Sequence, residues 1–145
     1  MKITSAIARV LLGAIFVFFG ANHLFHFLPT PQPPAGLGGQ FIGVLIASGY
    51  MSVVAVCEVV PGLLLLINRF VPLALVVLGS VIFNILFTDI LFARVGLPIG
   101  AVIVVLWCLT AWSVRSALSP LLQARITSQE SSPMLQHRAR IKPAA

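Results

Sequence analysis

Charge is scarce in this chain, and acidic charge is scarcest: Glu58, Asp89 and Glu130 are its only carboxylate side chains. Charged residues make up 8% of the 145 positions, too few to cover the surface of a soluble domain of this size. Cysteine is nearly absent as well. Cys57 and Cys108 stand alone, with no Cys-x-x-Cys pair, so the machinery of a membrane thiol oxidase is missing. Both thiols read as small apolar residues. The stretch "GLGG" at 36–39 lacks the strand and helix context of a phosphate loop.

What the chain has instead is apolar length. Hydrophobic residues make up 59% of it. Four apolar stretches stand out, at about 6–28, 48–67, 70–92 and 97–115. Each is near the roughly 20 residues that cross a bilayer as a helix. The fold class read from them is all-α: a polytopic membrane protein with four transmembrane helices in a bundle. Residues 1–118 form that single membrane domain. Lys2 and Arg9 before the first run evoke a secretion signal, but the run is too long and no small-x-small cleavage site stands near Gly20 and Ala21.

The punctuation fits this division. Pro29, Pro31, Pro33 and Pro34 end the first run and keep the following loop extended. "GGQFIGVLIASGY" reads as a short interfacial or re-entrant helix before the second span. Asn68 and Arg69 make a minimal turn, Pro72 suits the first turn of the third span, and Gly96 and Pro98 open the fourth. Residues 119–145, rich in Ser, Gln, Pro and Arg, read as a polar basic tail without fixed structure.

Orientation follows from the basic residues. In a four-span chain Lys2, Arg9, Arg69, Arg115, Arg125, Arg138, Arg140 and Lys142 all fall on one side. Only Arg94 falls on the other, and the loop "LPTPQPPAGLGGQ" has no charge. The positive-inside rule then places both termini in the cytoplasm. The net charge of +6 is read as topology plus tail, so the expected partner is the lipid bilayer and not nucleic acid.

Polar residues inside the spans are the candidates for function. Glu58 lies near the middle of the second span, where a charged side chain costs about 2.5–3.5 kcal/mol on insertion scales. At 3.6 residues per turn it shares a face with Ala47, Met51, Ala55 and Gly62, small enough for close helix packing. Pro61 leaves the Cys57 carbonyl without its helical partner. "FFGANHLFHFLP" at 18–29 places Asn22, His23 and His26 on one helical face as the wall of a polar entrance above Glu58. The first and third spans run in the same direction and carry the tetrads "NHLF" and "NILF", so Asn22 and Asn84 fall at comparable depth. Ser80, Asn84 and Thr88 form a polar stripe, with Asp89 off it and close enough to the surface to reach water. Two histidines at this spacing can bind a metal, but no third ligand is evident beyond Asp89, so no metal site is assigned. Hydrogen bonding to water or headgroups is the plainer role for the histidines, and interhelical bonding the plainer role for Glu58 and the asparagines.

"RVLLGAIFVFFGANHLF", "ASGYMSVVAVCEVVPGLLLLINRFVPLAL", "FNILFTDILFARVGLP" and "WSVRSALSPLL" together resemble the DoxX-like membrane proteins, over roughly residues 8–122. The Gly–Tyr, then Glu, then Gly–Leu–Leu–Leu arrangement is the most specific part. The resemblance implies a small four-helix protein of the bacterial inner membrane. Some relatives are subunits of a thiosulfate:quinone oxidoreductase, and others are linked to redox or sulfur-stress assemblies. Carried over by residue, it marks Asn22, Glu58 and Asn84. Many relatives have His where this chain has Asp89, giving "FTD" in place of a Phe-His pair. The resulting expectation is an accessory subunit of a membrane redox system, with a quinone or another small ligand bound near Asn22, His23, His26, Glu58, Asn84 and Asp89. A redox enzyme is the implied partner. The alternatives are a proton-coupled small transporter using Glu58, and a non-catalytic scaffold or assembly factor. The sequence holds no self-sufficient catalytic motif.

Overall fold

The structure, a computed structural model, describes residues 2–29, 35–92 and 96–122. Pro31, Pro33 and Pro34 of the first loop, Arg94, and the tail from 123 onward lie outside the described residues. The apolar runs become α1 (Lys2–Phe25), α2 (Leu37–Ala47), α3 (Tyr50–Leu66), α4 (Val71–Phe92) and α5 (Leu97–Ser113). A short α6 (Arg115–Leu118) and one 3₁₀ turn (Ser119–Leu122) follow, so regular backbone continues into the stretch read as tail. No strand occurs among the described residues.

The protein is an all-α membrane protein. α1 and α4 are each long and apolar enough to cross a bilayer alone. α2 and α3 pass that test only as a pair, across an 80° bend. α5 is apolar but has 17 residues. At 1.5 Å per residue it spans roughly 26 Å, a little under the roughly 30 Å of a hydrocarbon core.

Each boundary has a local cause. α1 stops three residues before the expected end of the first span, because His26 takes a left-handed backbone (φ 50°) and its N–H donates to the Asn22 carbonyl at 2.8 Å. Histidine tolerates that conformation better than most side chains. The expected re-entrant helix is α2. It is cut from α3 at Gly49, whose φ of 73° suits a residue without a Cβ. The Ser48 hydroxyl donates to the Leu45 carbonyl at 3.2 Å and stitches the break. Ala47 therefore belongs to α2, and the face expected to hold Ala47 with Glu58 does not run through the bend. Ala55, Glu58, Pro61, Gly62 and Leu65 are the buried residues of α3. The turn after α3 is a Schellman closure with Asn68 in the left-handed position (φ 57°). Asn68 N–H donates to the Leu65 carbonyl at 3.2 Å, and Arg69 N–H to the Leu64 carbonyl at 3.0 Å.

The four long helices pack in a ring: α1 on α3, α3 on α4, α4 on α5 and α5 on α1. Leu12, Phe16, Leu65, Ala74, Leu75, Leu78 and Ile103 form the buried centre. Trp107 ties α5 to α4 by donating from Nε1 to the Leu75 carbonyl at 2.9 Å, across the space left by Gly79. The start of α1, the α3–α4 turn and the end of α5 gather at one end of the ring, where Arg9, Asn68 and Arg115 line a common cavity. The other end is capped by α2, whose Phe41 stacks on Phe92 at the end of α4 with ring centroids 5.5 Å apart.

Candidate functional site

The α1–α3 contact is built from small residues. A Cβ on Gly13 would lie 2.8 Å from the Gly62 carbonyl, and one on Gly20 would lie 2.9 Å from the Glu58 Cβ and 3.1 Å from the Ala55 carbonyl. As the number rises along α1 it falls along α3, so the helices are antiparallel. With the backbones this close, a side chain one turn beyond Gly20 reaches directly across to α3. That side chain is His23.

His23 Nδ1 lies 3.1 Å from Glu58 Oε2. The Glu58 side chain is 4% exposed and that of His23 33%. The carboxyl is thus enclosed, and the imidazole joins it to the bundle surface. One proton suffices for the hydrogen bond, whether it rests on the ring nitrogen or on the carboxyl oxygen. A hydrogen-bonded partner for the carboxyl lowers the cost of placing it inside the membrane.

The other expected site residues are placed differently. Asn22 is used locally: its Oδ1 accepts the Leu28 N–H at 2.8 Å and closes the turn after α1. His26 lies beyond the end of α1, is exposed, and does not continue the helical face of His23. Asn84 is exposed on α4. The flanking hydroxyls of its stripe are satisfied by their own helix, Ser80 on the Val77 carbonyl at 2.7 Å and Thr88 on the Asn84 carbonyl at 2.9 Å. Asp89 lies over the start of α5, where a Cβ on Gly96 would run into its carboxylate. A helix N-terminus favours negative charge. Neither Asn84 nor Asp89 hydrogen-bonds to His23 or Glu58. Among the described residues no three His, Cys, Asp or Glu side chains come together to hold a metal ion.

Residues 4–93 match the family model of DoxX. The chain belongs to the DoxX family. No curated protein and no solved structure matches it. Within this DoxX protein the match runs from the first turns of α1 to the end of α4, so it takes in His23, Glu58, Asn84 and Asp89. The helix that closes the ring, α5, lies beyond it. The His23–Glu58 pair belongs wholly to the family segment. Sequence reasoning set His23 in the wall above Glu58 without pairing the two by a hydrogen bond. The signal that could have joined them was the run of small residues, Gly13 and Gly20 on α1 with Ala55 and Gly62 on α3, which marks the faces that meet.

Proposed function

We propose that this DoxX protein is an accessory subunit of a redox system in the bacterial inner membrane, with His23 and Glu58 as its ligand-binding and proton-handling site. In this reading all four helices of the ring cross the bilayer and both termini are cytoplasmic. The observation that carries it is the 3.1 Å contact between a buried carboxyl and a partly exposed imidazole. Such a pair accepts or releases a proton at the surface while the carboxyl behind it compensates the charge.

The surroundings suit a quinone. Phe19 is one turn before His23 on the same helical face, and it packs edge-on against Phe18 with centroids 5.5 Å apart. Phe18 meets Phe27 in the same way at 5.5 Å. An apolar ring has an aromatic surface to lie on, and an oxygen on that ring has a donor in the imidazole. A bound quinone supplies two-electron, two-proton chemistry. His23 orients it by hydrogen bonding, and Glu58 holds the imidazole in place and keeps a proton in reserve. Asn22 and His26 form the rim at the end of α1.

The test is the quinone content of protein purified in mild detergent. Wild type should retain quinone, and His23→Leu and Glu58→Leu should each lose most of it. Wild type without quinone, but with Glu58-dependent proton flux in vesicles, would make the protein a transporter. Equal quinone in all three proteins would remove His23 and Glu58 from the site.

A further inference from the structure

The opposite end of the bundle has a basic cavity with no use in this scheme. It measures about 680 Å³ and is lined by Ser5, Arg9, Asn68, Ser113, Arg115 and Ser116, with Trp112 at its wall. Arg9 is on α1, and along that helix it sits roughly 21 Å from His23. The two sites are therefore separate.

Among the described residues that line it, the cavity has cations and no anion. Arg9 Nε is buried and makes no hydrogen bond among the described residues. A buried guanidinium N–H without an acceptor is costly; having no exposed surface, it leaves the other atoms of Arg9 to meet a ligand in the cavity. The chain has few acids to offer it. Glu58 is taken by His23, and Asp89 lies at the far end over α5. Glu130 lies outside the described residues. The second cation is held in place: Arg115 lies over the Trp112 ring, its Cζ 5.0 Å from the centroid. Stacking fixes the plane of a guanidinium and leaves its edge free to bond. Asn68 and the serines at the rim add short polar groups. Two guanidinium groups that line one cavity with hydroxyl and amide side chains offer the donors that a tetrahedral oxyanion takes.

We propose that this cavity binds a phosphate group, held between Arg9 and Arg115. The same chemistry is offered by the headgroup of an anionic phospholipid and by free phosphate, and the experiment separates them. Full-length protein in mild detergent is titrated with dioctanoyl phosphatidylglycerol and followed by native mass spectrometry. Inorganic phosphate is measured in parallel by equilibrium dialysis with a radioactive tracer. Arg9→Gln and Arg115→Gln are compared with Arg69→Gln, which removes a cation at the same end but outside the cavity lining. Arg115 is exposed, so its variant tests the site even where Arg9→Gln folds poorly.

Loss of one charge-assisted contact should weaken binding roughly tenfold. That loss in Arg9→Gln and Arg115→Gln, with Arg69→Gln unchanged, is the expected result. Seen for the lipid alone, it assigns the cavity to a headgroup. Seen for inorganic phosphate as well, it assigns the cavity to the free anion. Failure of wild type to bind either probe, or equal weakening by all three variants, would overturn the proposal.

Discussion

His23 and Glu58 meet one turn beyond the Gly20 contact of α1 with α3, with Nδ1 and Oε2 3.1 Å apart. The two residues should behave as a unit when mutated. His23→Leu leaves a buried carboxyl without its partner and should cost about 1–3 kcal/mol. Glu58→Gln keeps a hydrogen-bonding group and should cost less. The double variant with Leu at both positions removes both polar groups and should be more stable than the sum of the single changes implies. Reversible unfolding in detergent measures all of these. Strict additivity would show that the contact contributes no coupling.

Gly20 sets how near the two helices come. An alanine there would place its Cβ 2.8 Å from Val59 Cγ2 and 2.9 Å from Glu58 Cβ. Val59 has a side-chain tip that can give; the Glu58 Cβ is fixed to the helix. Gly20→Ala should lower stability by about 1–3 kcal/mol, as overpacking commonly does, and should also weaken ligand retention at His23. At Gly43 in α2, an alanine methyl would meet nothing within 4 Å. Gly43→Ala should be neutral or slightly stabilising, because alanine favours a helix over glycine. Equal Tm values for the two variants would contradict this contrast.

Asn84 is exposed on a helix of lipid-facing character, and its carboxamide makes no hydrogen bond among the described residues. Asn84→Leu should leave stability unchanged to within about 0.5 kcal/mol, or raise it. Denaturant titration in detergent gives the number. A loss larger than about 1 kcal/mol would reveal a partner for the amide, as interhelical asparagines usually have.

Topology can be read by labelling single cysteines in intact cells, in a background with Cys57 and Cys108 replaced by Ala. Leu37→Cys, at the start of α2, should react with an impermeant reagent. Arg69→Cys, in the α3–α4 turn, should react only after permeabilisation. The basis is the gathering of Arg9, Arg69 and Arg115 at the opposite end from α2. The reverse pattern would invert the protein in its membrane.

The sequence carried the helices more fully than their ends or their partners. Hydropathy locates α1, α4 and α5 because lipid demands long apolar runs whatever the tertiary packing. It does not locate the end of α1, since that depends on His26 taking a left-handed backbone. Nor does it show that the Glu58 face stops at Gly49, since helical periodicity assumes a helix without a bend. Asn22, His23 and His26 share a face only if α1 continues through all three, and it stops at Phe25. Periodicity also says which residues share one helix face and nothing of which face lies opposite. His23 met Glu58 because Gly13, Gly20, Ala55 and Gly62 brought the backbones together. Arg9, whose buried Nε has no hydrogen bond among the described residues, was legible only as a topological charge, because its cavity is shared by segments far apart in the chain.

α2 gives the molecule unequal ends. It packs against α3 and α4 and is turned 80° from α3, so it adds bulk at one end of the ring and none at the other. Its 11 residues make a rod roughly 16 Å long and about 10 Å wide, a footprint of about 160 Å². Where α3 lies along the bilayer normal, α2 lies nearly in the membrane plane, and lipid at that end must pack around a rod laid across it.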